Sequence, residues 1–68
     1  MATPERFLRL PAVEERTGFS RSTIWRYVKD GVFPRPISLG PNVTAWIESE
    51  IDAWMRQRIE LARGQEVV

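Results

Sequence analysis

The segment Ser20-Arg21-Ser22-Thr23-Ile24-Trp25-Arg26-Tyr27-Val28-Lys29 carries the most chemistry in this chain. At about 100° per residue around a helix, Ile24, Tyr27 and Val28 share one side. Ser22, Trp25, Arg26 and Lys29 repeat at i, i+3, i+4, i+7 on the opposite side. A helix that only packs on a core needs the first side alone. The second side offers two cations, a hydroxyl and an indole, which suit the major groove of a nucleic-acid duplex. There Arg reads guanine edges, Ser and Thr reach bases or phosphates, and Lys holds phosphates. Arg21, Ser22 and Thr23 stand at the helix start, where free backbone N–H groups attract phosphate. Trp25 admits two readings, a core aromatic or a ring against deoxyribose with its N–H donating. Its place opposite Ile24 and Val28 favours the second. Arg26 is the foremost candidate base reader, whereas Lys29 and Arg35 can be phosphate contacts or solvated charges.

Charge distribution points the same way. The formal net charge is +1, made of −1 over residues 1–15, +4 over 16–35, none over 36–47 and −2 over 48–68. The positive block sets Arg16, Arg21, Arg26, Lys29 and Arg35 against Asp30 alone, a local cationic patch of the kind that meets a polyanion.

No catalytic constellation accompanies it. The chain has no histidine and no cysteine, so a histidine base, a cysteine nucleophile, disulfides and the usual zinc sites are excluded. Glu14 and Glu15 are adjacent on a helix and do not share a face. The expectation is a non-enzymatic protein without catalytic, cofactor or metal sites. No run of about 18 apolar residues could span a membrane, and the start of the chain lacks the apolar stretch of a signal peptide, which predicts a cytoplasmic protein.

These side chains must be positioned by a small fold. A 68-residue chain has room for one domain, expected over 6–63 with flexible termini at 1–5 and 64–68. It removes only about 60% of its extended-chain surface from water, so Trp25, Trp46, Trp54, Tyr27 and the three phenylalanines must supply much of the core, with Trp46 and Trp54 assigned there. Residues 7–10 read as a short extended entry. Pro11 suits the first position of a helix through Thr17, with Glu14 and Glu15 near its positive end, and Gly18 stops it. Ser20 is the N-cap of the next helix, with Phe19 and Ile24 spaced as a hydrophobic staple and Gly31 as its end. Phe33-Pro34-Arg35-Pro36 cannot be helical.

Ile37-Ser38-Leu39 and Val43-Thr44-Ala45-Trp46-Ile47 flank the turn residues Gly40-Pro41-Asn42 and predict a hairpin. Either Val43 and Ala45 or Thr44 and Trp46 face inward, and the size of Trp46 selects the second. A closing helix is expected from about Glu48 to Arg63. Glu48, Glu50 and Asp52 fill its first turn, Ile51, Trp54, Met55 and Ile59 form its apolar stripe, and Gly64 ends it. The fold class is mainly α with a small β-hairpin.

Leu8-Arg9-Leu10-Pro11-Ala12-Val13, Thr17-Gly18-Phe19-Ser20-Arg21-Ser22-Thr23-Ile24-Trp25-Arg26, Gly31 through Pro41, and Ala45 through Trp54 together resemble AlpA-type phage regulatory proteins. The resemblance covers roughly residues 6–60, and its most specific parts are the Ser-Arg-Ser-Thr helix start, Phe-Pro-Arg-Pro, and Trp-x-x-x-Glu-x-Asp-x-Trp. It implies the winged helix-turn-helix of phage excisionases and MerR-type DNA-binding domains, with the helix from Ser20 in the major groove and hairpin 37–47 as the wing. Carried over, Ser20, Arg21, Ser22, Thr23, Trp25, Arg26 and Lys29 belong to the recognition helix, followed by Arg35, and Ser38 and Asn42 belong to the wing. Relatives commonly carry Lys or Arg at those two wing positions, whereas residues 36–47 here are uncharged. The partner implied is double-stranded DNA, with control of prophage or mobile-element genes or assistance to integrase in excision as the role. Self-association, as a dimer or an array on DNA, is expected to strengthen binding. The neutral wing keeps an alternative in view, a protein-interaction module recruiting integrase or RNA polymerase without strong DNA binding of its own.

Overall fold

The computed structural model describes residues 5–66, with side chains through residue 64. Its elements run β1 (Phe7–Leu8), α1 (Leu10–Thr17), α2 (Arg21–Lys29), β2 (Ile37–Gly40), β3 (Val43–Ile47) and α3 (Glu48–Glu66). The strands form one antiparallel sheet in the order β1-β3-β2. Three helices and a small hairpin joined by a short entry strand make a winged helix-turn-helix.

Local signals set the helix ends. Pro11 occupies the first turn of α1, and Gly18 closes it at φ 77°, its N–H donating to the Glu14 carbonyl at 2.8 Å. Glu14 and Glu15 fall outside the first turn, which contains no acid, so the expected dipole contribution is absent. Two residues after Gly18, Ser20 caps α2, its Oγ accepting from the Thr23 N–H at 3.3 Å. That hydroxyl in turn donates to Thr23 Oγ1 at 3.1 Å. At the other end Gly31 adopts φ 77°, with Gly31 N–H donating to Val28 O and Val32 N–H to Tyr27 O. This pair of bonds is a Schellman ending, which needs a left-handed residue that glycine reaches without steric cost.

The hairpin turns through Pro41 and Asn42, the latter at φ 60°. Proline then asparagine is the order that a type II turn favours. A bulge lies between Ser38 and Gly40. Of the residues expected inside β3, Trp46 is buried but Thr44 is exposed, while Ala45 is buried on the other face. Thr44 shares the Trp46 side of the sheet, yet it lies out along the wing where no helix covers it. The Ala45 methyl sits opposite Ile37, between Val43 and Ile47 on its own face.

The core consists of Leu8, Val13, Ile24, Phe33, Trp46 and Ile51, with Phe19, Tyr27, Val28, Trp54 and Met55 packed partly against it. Burying each such side chain contributes about 1.5–3 kcal/mol. Of the aromatics expected to supply much of the core, Phe7 is 55% exposed and Trp25, for which the outward reading was favoured, 43%. Trp54 is only partly buried. Phe19 meets Tyr27 and Trp54 edge to face at 5.5 and 6.0 Å and packs against the cluster that contains Ile24. Two indole N–H groups fix the connection from α2 to the wing. Trp46 Nε1 donates to the Pro34 carbonyl at 2.9 Å and Trp54 Nε1 to the Val32 carbonyl at 2.7 Å.

α3 runs through Gly64 to Glu66 rather than ending at the glycine. A helical interior glycine costs about 1 kcal/mol but does not by itself stop a helix. Residues 65–66, expected to be flexible, are helical, and the rest of the terminal expectations, for 1–4 and 67–68, lies outside the described residues. Asp52 falls beyond the first turn of α3, which holds Glu48 and Glu50. Asp52 and Glu48 both pair with Arg16 at the end of α1, the Glu48 contact at 2.9 Å.

Ser20→Ala removes the α2 cap and is expected to lower unfolding free energy by about 1 kcal/mol, read by urea denaturation followed by circular dichroism, whereas Ser20→Asp retains it. Trp46→Phe keeps most of the packing but orphans the Pro34 carbonyl, for an expected loss of about 1–3 kcal/mol in the same measurement.

Candidate nucleic-acid interface

Amphipathicity gives α2 two working sides. Ile24 is fully buried and Tyr27 and Val28 are partly buried, which fixes the helix on the core by one side. Arg21, Ser22, Trp25, Arg26 and Lys29 are all exposed. The helix therefore brings these five expected site residues to the surface together.

The hydroxyls of Ser20 and Thr23 are differently placed. Ser20 Oγ accepts from the Thr23 amide and donates to Thr23 Oγ1 at the cap, so the two side chains hold the helix start.

Trp25 joins both readings the sequence allowed. Its ring lies 5.4 Å from that of Trp46 at a 50° tilt, while 43% of the residue stays exposed. One side of the indole is anchored on the core and the rest faces outward. Arg26 is held near its neighbour, with its guanidinium carbon 5.9 Å from the Tyr27 ring centroid. At exposed sites such a contact contributes about 0.5–1 kcal/mol, which orders the side chain without removing its charge.

Electrostatics sharpen the patch. Arg16, counted in the positive block, is neutralised by Glu48 and Asp52. Arg21, Arg26, Lys29 and Arg35 take part in no ion pair among the described residues. Those four free cations are all on α2 or the loop after it, opposed there only by Asp30.

Arg35 is exposed on the loop that the two indole bonds secure. Ser38 and Asn42 are exposed on the wing, Ser38 donating to the Gly40 carbonyl at 3.3 Å and Asn42 at the turn. Thr44 is the residue that sequence reasoning misplaced. It pairs with Ser38 across the hairpin, so two hydroxyl side chains extend the Trp46 side of the sheet beyond Trp25. Strand alternation put Thr44 on that side correctly, but only the reach of the helices shows that it is uncovered. The wing thus presents hydroxyls and an amide with no formal charge.

A protein-family model described as the prophage CP4-57 regulatory protein (AlpA) matches residues 6–59. The chain is 51% identical over 57 residues to the uncharacterized protein ORF88 of Enterobacteria phage P4, covering 84% of this chain and 65% of that protein. It therefore spans just under two thirds of that relative. It is 44% identical over 62 residues to the DNA-binding transcriptional activator AlpA of Escherichia coli (strain K12), covering 82% of this chain and 89% of that protein. No solved structure matches it. With a family model spanning most of the chain and a winged helix-turn-helix beneath it, this protein belongs to the AlpA family of prophage regulatory proteins.

Proposed function

We propose that this chain binds double-stranded DNA and regulates transcription of prophage or mobile-element genes, with α2 in the major groove. The observation that carries the reading is the exposed side of α2, where Arg21, Ser22, Trp25, Arg26 and Lys29 stand opposite a buried Ile24. Similarity to a transcriptional activator supports it. Arg26 and Arg21 are the base-edge readers, and Lys29 and Arg35 hold phosphates. Ser22 and the first amides of α2, of which Ser20 Oγ takes only that of Thr23, receive a phosphate at the helix start. Trp25 lays its open side against a sugar. Ser38 and Asn42 give the wing hydrogen bonds rather than ion pairs with the backbone.

A single module of this size covers about 600–1,000 Å² on DNA, so useful affinity calls for a dimer, repeated sites or an array. No cofactor or catalytic step is needed, and a reader of intracellular duplex works in the cytoplasm. The neutral hairpin supports a second reading, in which the fold recruits integrase or transcription machinery, as in excision, without strong DNA binding of its own.

In a titration on the promoter upstream of its own gene, Arg26→Ala is expected to weaken binding by about 1–3 kcal/mol and to relax preference at one base pair. Unchanged footprints would remove Arg26 from the readers. The plot of log K against log salt should be steep, falling by about 0.9 per phosphate neutralised, and Lys29→Ala should reduce the slope by about 1. A shift that is absent or indifferent to salt, together with a defined protein partner in pull-downs, would favour the recruitment reading in its place.

A further inference from the structure

The core-facing stripe of α3 continues beyond the core. Ile51 is fully buried and Trp54 and Met55 are partly buried, but Ile59 is 48% and Leu61 52% exposed. At about 100° per residue these side chains lie within about 80° of Ile51 around the helix, with Arg58 and Ala62 close to the middle. Phe19, Tyr27, Val32, Trp54 and Arg58 line an open groove of about 410 Å³ beside this stripe, and it continues to Leu61. The guanidinium carbon of Arg58 stands 5.0 Å from the Trp54 ring centroid. Val32, 42% exposed, forms the opposite wall.

Charge decides what fits there. Arg58 lies within the stripe and Arg56 and Arg63 lie along one flank, whereas the one acid between residues 53 and 64, Glu60, points about 180° away from Ile51. None of the three arginines is in an ion pair among the described residues. Among the described side chains of this face, two copies meeting through it would bring cations together with no carboxylate between them. DNA would supply anions but would leave Val32, Ile59 and Leu61 without apolar cover. An amphipathic segment carrying both carboxylates and large aliphatic side chains satisfies both halves of the surface.

The geometry points to a docking groove for an acidic, amphipathic segment of a second protein, lined by Val32, Trp54, Arg58 and Leu61. On α2 it is bounded by Tyr27, roughly 140–160° around the helix from Ser22, Trp25 and Lys29, so those three stay free while the groove is filled, and the proposed DNA face adjoins it only at Arg26, whose guanidinium carbon stands 5.9 Å from the Tyr27 ring. The inference is independent of the DNA-binding reading.

The test uses the full chain and a labelled synthetic peptide with leucine and glutamate at helical spacing, beside the same peptide with every glutamate replaced by lysine. Fluorescence anisotropy should show saturable binding of the glutamate peptide and at least about tenfold weaker binding of the lysine peptide. Amide and indole NMR shifts should be confined to Val32, Trp54, Arg58 and Leu61. Arg58→Ala and Leu61→Ser should each weaken peptide binding by about tenfold while leaving duplex binding unchanged. No binding, or equal binding of both peptides, overturns the proposal. Loss of duplex affinity in Arg58→Ala would give the groove to DNA instead. A dimer in sedimentation that Leu61→Ser dissolves would give it to a second copy. Failure of duplex binding by the unmodified chain would count against the DNA reading alone.

Discussion

Two indole N–H groups hold this fold to its purpose. Trp46 and Trp54 come from different elements, yet both donate to carbonyls of the loop between the second helix and the wing. That loop carries two prolines, which have no N–H to give, and it joins no helix or strand ladder. Without the indoles its carbonyls would need water, and the angle between α2 and the hairpin would be loose. Phe33 completes the fastening, buried in the core and 4.7 Å from the Trp54 ring edge to face. A chain with no cysteine achieves by side-chain-to-backbone bonds what other small domains achieve by cross-links.

The same economy shapes the charges. Acids and bases are sorted by location rather than balanced along the chain. Arg16 is spent on the start of α3, tying the first helix to the last through Glu48 and Asp52. Among the described residues, the cations in no ion pair are Arg9 and those of α2, its following loop and the outer half of α3. Such exposed pairs add little stability individually. Their effect is to decide which surfaces remain positive, and so where an anion is drawn.

Much of this could be read from residues alone, because much of it is local. Ser20, Gly18 and Gly31 mark helix ends through bonds to residues within four or five positions, and each acts where expected. The opposition of Ile24 to Arg26 and Lys29 follows from helical period alone. What escaped was set by distant parts of the chain. Thr44 was placed on the correct side of its strand, but whether that side is covered depends on where the helices stop. Arg16 looked like part of the cationic patch until α3, more than thirty residues away, supplied its carboxylates. Gly64 carries a helix-stop signal by type, but a stop also needs a left-handed turn, and nothing beyond it in the sequence demands one. The partial exposure of Trp54 and the open end of the apolar stripe likewise depend on the size of the body against which α3 lies.

The contact between Trp25 and Trp46 has a consequence for how such a module can diversify. Arg21, Ser22 and Lys29 project from the scaffold without supporting it and Arg26 touches it at the Tyr27 ring, so, under the proposed DNA reading, these four are free to change one at a time as a target sequence drifts. Trp25 is not, since half of its ring belongs to the interior. New specificities on this scaffold should therefore arise around a fixed aromatic pivot, with the four flanking positions as the adjustable vocabulary.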